Sequence, residues 1–336
     1  VFDALINAFR APDIRRRILY VLGMLVVVRG LAAVPIPGIN ADQLQNALGA
    51  NPFLQLLDLF SGGGLANFSI IALGVNPYIN ASIIMQLMTG VVPRLQALQR
   101  EGEYGRNKIN QYTRYLTVPM GLLQAYGYLA LFSSSQFNIV ADFDITSLVT
   151  ITQILSLTAG TVLVMWLGEL ITERGIGNGI SFIIFAGIVA RVPHGLAAFL
   201  RSPDLGAGIA FGILGIAAVA TIVYIQEGQR RIPIQYASRV RGRRMYQGGA
   251  TFLPLRVNQA GVIPIIFAIS ILLFPVQLAT YFSTAGGVIG DLSNFIVRIL
   301  DQQSLLYIAL YFLLTLGFTY FYTAFTFKPD ETSDQL

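Results

Sequence analysis

The sequence predicts an all-α, polytopic membrane protein, and three observations carry that prediction. Of its 336 residues 54% are hydrophobic and only 12% charged, about half the charge of an ordinary soluble domain. Apolar runs of about 17–25 residues recur along the chain, each long enough to cross a hydrocarbon core of roughly 30 Å as a helix. One such run fits a buried core helix; eight in succession do not. The basic residues, finally, gather in alternate loops, the asymmetry that orients a polytopic chain.

The runs follow one another with clear punctuation. Ile18–Val34 comes after Arg10, Arg15, Arg16 and Arg17 and ends at the breaker Pro35-Ile36-Pro37-Gly38. Next is the long apolar stretch Leu57–Arg94, with two weak points, Gly62–Gly64 and Asn76-Pro77. Irregular backbone at membrane depth survives only inside protein or beside a wet cavity. A helix broken in this way implies something at the centre that opens, closes or binds. The span itself is read as Pro77–Val92, with Asn76 as cap and proline at the first helical position. Tyr112–Phe132 follows the polar loop Pro93–Gln111, and Thr146–Ile171 leads to the glycine-rich turn Arg174–Gly179. Ile180–Leu200, Leu205–Gln226, Val257–Phe282 and Leu305–Phe327 complete the eight.

With a cytoplasmic N-terminus, that side collects nearly all the Lys and Arg. They include Arg94, Arg100, Arg106, Lys108, Arg114, Arg174 and Lys328 besides the arginines of the loop before Val257. Arg191, Arg201 and Arg298 fall outside, and Arg29 sits within a span. Both termini are therefore expected in the cytoplasm. The first apolar segment runs straight into the array without a small-residue cleavage site, so no cleaved leader is expected.

Several functions lose support from composition. There is no cysteine, hence neither disulfide nor thiolate metal site. The one histidine, His194, stands beside Pro193 in an outer loop and reads as a solvated residue. No Ser/His/Asp set or carboxylate pair lies at membrane depth, so catalysis is not expected and no cofactor is implied. A secondary transporter shares broken helices, yet it usually needs ionisable groups at midplane. Only Arg29 lies deep here, with Glu169 near a cytoplasmic end and Asp58 before the glycine break. Uncharged polar residues within or beside the spans, Gln86, Gln124, Gln153, Asn258 and Gln259, often only join helices.

Two isoleucine pairs stand out, Ile79 with Ile83 and Ile180 with Ile184, each four residues apart on one helix face. Spacing alone is served as well by faces turned to lipid or to other helices. The glycines of Arg174–Gly179 fit a tight turn; a phosphate-binding reading fails because apolar helices flank them on both sides. The loop Glu227–Arg256 carries Arg230, Arg231, Arg239, Arg241, Arg243, Arg244 and Arg256 against the single acid Glu227. Tyr236, Tyr246 and Phe252 are interleaved, and Gly248-Gly249 with two prolines suggests a compact hairpin-like loop. Anionic headgroups, an RNA surface or an acidic protein would all be attracted by that field. Composition by itself favours a lipid or topogenic role.

At these residues the chain closely resembles the SecY family, the central subunits of the bacterial protein-translocation channel. The matching strings are Phe60–Gly63, Pro77–Leu87, Glu101–Glu103, Lys108–Arg114, Ile171–Ser181, Gln229–Tyr236, Ala260–Pro264 and Phe318–Ala324. They cover the chain in order. The resemblance implies a pore ring of Ile79, Ile83, Ile180, Ile184 and Ile266. It implies a plug at about Leu57–Ile71, in which Leu65, Phe68, Ser69 and Ile70 cover the ring. It also implies a lateral gate between the helix after Asn76 and the span of Asn258 and Ile266, with Gln86, Gln124 and Asn258 as polar members. Arg106, Arg239, Arg241, Arg243 and Arg244 match docking loops for the ribosome or the SecA motor. SecE and SecG would be small membrane partners, signal sequences and nascent polypeptides the clients, and lipids and ribosomal RNA further contacts. Residues 1–200 would form the N-terminal half with helices 1–5 and the plug, and residues 201–336 an incomplete C-terminal half with helices 6–8. The family has ten transmembrane helices, so the chain is expected to lack the last two and with them a sixth ring residue. The expected function is a passive protein-conducting channel in the bacterial plasma membrane, driven by ribosome or motor. A secondary transporter is the first alternative, and a membrane insertase without an aqueous pore the second.

Overall fold

The computed structural model describes residues 11–50, 54–55, 58, 61–133, 139–140, 143–144, 146–190, 192–201, 205–235, 239–241, 244–246, 250–282, 288–301 and 304–326. Leu57, Arg10, Arg191, Tyr236, Arg243, Gly248, Gly249 and Lys328, singled out above, lie outside the described residues, as does the side chain of His194.

Helices dominate. In chain order they are α1 (Pro12–Ala32), α2 (Ala41–Ala50), α3 (Asn76–Val91), α4 (Pro93–Arg100), α5 (Glu103–Ser133) and α6 (Leu148–Arg174). Then come α7 (Gly179–Val189), α8 (Val192–Arg201), α9 (Leu205–Glu227), α10 (Ile263–Phe282), α11 (Val288–Ile299) and α12 (Leu305–Thr326). Between α9 and α10 lie the strands β1 (Gln229–Gln235), β2 (Arg239–Arg241), β3 (Arg244–Tyr246) and β4 (Ala250–Arg256). The chain divides into two compact units, one of residues 1–195 and 270–304, the other of residues 196–269 and 305–336.

Helix and apolar run agree closely, with instructive departures. The Ile180–Leu200 run is two helices, α7 and α8, rather than one. Pro193 has no N–H to donate, and its ring would collide with the carbonyl of Val189 in a continuous helix. At 1.5 Å per residue α7 is only about 16 Å long, short of a full crossing. The Val257–Phe282 run becomes helical only at Ile263. Asn258 Oδ1 accepts the Gly261 N–H at 3.0 Å, and Gly261 takes φ +63°, so the first residues form a turn. Helix α5 starts earlier than its run, at Glu103, because a helix need not stop where the apolar residues do. Asn76 lies inside the first turn of α3 with Val75 as cap, and its side chain makes no cap bond; it pairs with the buried Tyr128 hydroxyl on α5 instead.

Among the described residues three helical segments are long and apolar enough to cross a membrane: Leu148–Arg174, Gly208–Glu227 and Leu305–Ala324. The first packs against α5 and α7. The other two, in the second unit, bury none of their apolar windows within the chain. A helix apolar all round needs lipid or another chain to cover it.

The basic loop is a hairpin, as its glycines and prolines suggested. Strands β1 and β4 pair antiparallel from Gln229↔Arg256 to Gln235↔Ala250, and β2 pairs with β3 from Arg239↔Tyr246 to Arg241↔Arg244. Arg231 lies over the Phe252 ring, 4.9 Å from its centroid, a cation–π contact across the ladder.

Candidate functional site

The centre of the first unit is the irregular chain between the weak points of the long apolar run. Ser61–Val75 is a succession of turns without a helix. Its backbone polar groups must still be satisfied, since burial without a partner is costly. Asp58, itself 1% exposed, organises the first turn. Asp58 Oδ1 accepts the Ala66 N–H at 2.8 Å and the Ser61 hydroxyl at 3.3 Å, while the Ser61 Oγ accepts the Leu65 N–H at 3.0 Å. Gly62 and Gly63 take φ +70° and +84°, a backbone that side-chain-bearing residues rarely adopt. Around this frame Leu65, Phe68, Ser69, Ala72 and Leu73 are completely buried, and Ile70 is half-buried.

Five sets of contacts hold the segment. The loop after α1 flanks it as a short ladder: Ile36 N–H donates to the Phe68 carbonyl at 3.0 Å and Ile70 N–H to the Val34 carbonyl at 3.1 Å. The Phe68 ring meets Phe132 of α5 edge-on, with centroids 5.3 Å apart. The Ile70 carbonyl presses on Gly160 of α6, where an added Cβ would lie only 1.8 Å from the oxygen. Gly62 presses on Gly187 of α7, where a Cβ would lie 2.4 Å from the Gly62 Cα. Arg29, near the end of α1, donates from Nη1 to the Gly62 carbonyl at 2.8 Å. A largely apolar cavity of about 480 Å³ adjoins this corner, bordered by Leu22, Val26, Arg29, Gly62, Ile183 and Gly187.

The isoleucines stand in the same unit, save one. Ile79 and Ile83 lie one turn apart on α3 and both are buried. Ile180 and Ile184 are half-buried on α7, with Ile180 against Gly168 of α6. Ile266, half-buried on α10, belongs to the second unit.

The polar residues differ in their surroundings. Gln86 Nε2 donates to Ser82 one turn back at 3.4 Å. Gln124 is 2% exposed, and among the described residues its side-chain nitrogen has no hydrogen-bond partner, an arrangement that costs about 1–3 kcal/mol. Asn258 is a turn residue before α10, not a member of the helix. Arg106 is exposed in the first turns of α5. Arg239 and Arg241 lie on β2 and Arg244 on β3. The glycine-rich turn after α6 is built as its composition implied. Asn178 caps α7 by accepting the Ser181 N–H at 3.1 Å, and Gly179 N–H donates to Thr172 Oγ1 at 2.9 Å.

Sequence reasoning missed the partners of the irregular segment. Arg29 was visible as a lone cation in a span, and that was a usable signal. Gly160 and Gly187 carried none, since a glycine in an apolar run looks the same whether it meets lipid or backbone.

The fold of buried irregular segment and surrounding helices is that of protein-conducting channels. A structure described as that of a protein conducting channel superposes with a TM-score of 0.55 at 21% identity, covering 80% of this chain and 58% of that one. Sec61 from a canine ribosome–channel complex gives a TM-score of 0.51 at 20% identity, covering 80% and 59%. The chain thus spans less than two thirds of these solved structures. The SecY family model matches residues 69–336. Protein translocase subunit SecY of Mycobacterium tuberculosis is 44% identical over 354 residues, covering the whole of this chain and 79% of that protein. The corresponding subunit of Streptomyces galbus is 45% identical over 352 residues, again with 79% of its length covered. The chain belongs to the SecY family.

Proposed function

We propose that this chain forms the pore of a protein-conducting channel, with Ser61–Val75 as a plug seated in the closed state. The observation that carries the reading is the segment itself. It is irregular and mostly buried, with Asn67 alone exposed, and its polar backbone is satisfied by local turns, one neighbouring loop and the Arg29 side chain. Such a segment can leave as a unit, because few of its hydrogen bonds belong to the helices around it.

Ile79, Ile83, Ile180, Ile184 and Ile266 are the proposed collar beneath the plug. A narrow apolar constriction gates by dewetting and needs no charged filter. Stiff β-branched side chains give it a defined width, and without strong polar groups polypeptides of varied sequence pass. Gln86, Gln124 and Asn258 are assigned to a gate through which apolar segments leave sideways into lipid. The Gln124 side-chain nitrogen, without a partner among the described residues, suits a residue whose partner changes with gate position. The basic hairpin and Arg106 would dock a ribosome or an ATP-driven motor such as SecA, which supplies directionality. Solved relatives include channels described in complex with ribosomes. SecE and SecG, covering exposed apolar helices, complete the assembly in a bacterial plasma membrane, with the N-terminus cytoplasmic and eight apolar segments of this chain crossing. Signal sequences open the channel only through a higher affinity for the open state.

The test is ion leakage of the full-length channel reconstituted with its partners. Ile83→Asn and Ile266→Ser should raise resting conductance and relax signal-sequence stringency. Conductance equal to the unmodified channel in both would remove the collar assignment.

A further inference from the structure

We infer that Arg29 is the latch that sets how often the plug leaves its seat, acting on the Gly62 carbonyl with Gly187 as the matching half of the seat. The inference rests on the reading of Ser61–Val75 as a plug. Three observations meet at Gly62. Arg29 Nη1 donates to its carbonyl oxygen at 2.8 Å. The same Nη1 lies 3.0 Å from where a Cβ on Gly63 would stand, so the guanidinium reaches the carbonyl through space that a glycine leaves open. On another side the Gly62 backbone abuts Gly187 at a distance that no side chain on Gly187 would allow.

The cavity beside this corner leaves Gly62 close-packed on the Gly187 side, and the Arg29 bond is the polar contact that adds to that packing. The bond joins a helix to the turn directly, so it exists in the seated state and is broken when the turn departs. An interaction made in one state alone shifts the equilibrium by its full strength. The Arg29 side chain is exposed, so the bond is worth about the net strength of an ordinary hydrogen bond, roughly a two- to ten-fold change in the unseated fraction. Arg29 is therefore a positioning residue: it touches no translocating chain in the closed state and acts through the plug.

The test uses full-length channel complexes in proteoliposomes, each carrying Leu65→Cys on the cysteine-free background. Leu65 is wholly buried when the plug is seated, so the rate of maleimide labelling reports departure, and resting ion conductance is read alongside. Arg29→Met should raise labelling roughly two- to ten-fold, Gly187→Ala should raise it as well, and conductance should rise with it in both. Gly23→Ala, on the same helix as Arg29 with nothing within 4 Å of the added methyl, should change neither. Should Arg29→Met fail to assemble, Arg29→Gln, which keeps a donor and loses the charge, carries the same expectation. Ile83→Asn separates the two claims, because it should leak through the collar without needing the plug to leave. Unmodified labelling in the Arg29 variants, while Ile83→Asn conducts, overturns the latch and spares the channel. No added conductance in any variant, Ile83→Asn included, overturns the channel reading and the latch with it.

Discussion

The ring of Phe68 meets that of Phe132 edge-on, 5.3 Å between centroids and 81° between planes, although the Phe68 backbone is held at φ +41°. A bulky residue in the left-handed region carries about 1–3 kcal/mol of strain. Burial of its ring, completely enclosed against Phe132, offsets that cost. The proposed plug is thus seated by a side chain and opposed by its own backbone. Phe68→Ala should weaken the seat by about 3–5 kcal/mol and raise resting conductance. Phe68→Gly loses the same ring yet relieves the strain, so it should leak less than Phe68→Ala. The reverse order in paired conductance recordings would contradict the strained seat.

Helices α6 and α7 meet where a Cβ on Gly179 would lie only 1.9 Å from the Gly168 carbonyl oxygen. Gly179→Ala should therefore cost about 1–3 kcal/mol or more through overpacking. Gly212→Ala, with nothing within 4 Å, should stay within about 0.5 kcal/mol. Thermal unfolding of the purified channel in detergent compares the two; equal midpoints would refute the close elbow.

Arg114 of α5 pairs with Glu169 of α6 at 2.6 Å, with the arginine 43% exposed and the glutamate 18%. A pair this open to its surroundings is worth about 0–1 kcal/mol. Glu169→Gln should lower stability by no more than that, and a double-mutant cycle with Arg114→Met should give a coupling energy of the same size. A coupling several times larger would show that the pair sits in a drier place than its exposure indicates.

Helix placement was largely legible in the sequence, because hydropathy and proline fix helices that have no water to compete for their backbone bonds. The break between α7 and α8 was not, since both sides of Arg191 are apolar and length alone favoured one helix. The role of Asn76 was also misread. A cap is a local matter and was expected, but the side chain is taken by Tyr128 of a different helix. Long-range pairing hid the site as well: Arg29 finds Gly62 33 residues on, and no local pattern announces it. The candidate collar was legible only through resemblance, since isoleucines four apart are equally at home against lipid.

The basic hairpin gives a prediction of its own. Neutralising Arg239, Arg243 and Arg244 together should weaken binding of ribosome or motor and flatten its salt dependence, as expected for a basic surface that attracts an acidic partner. Co-sedimentation with channel-containing vesicles measures this. Undiminished binding across a salt series would return the loop to the lipid surface.

The account as a whole is tested most directly by arresting a secretory polypeptide midway and cross-linking it to single cysteines at Ile79 and Ile184, on the cysteine-free background. The collar predicts adducts at both positions and none at Phe211, an exposed residue of α9. Adducts absent from both isoleucines, in a channel that still carries the arrested chain, would contradict it.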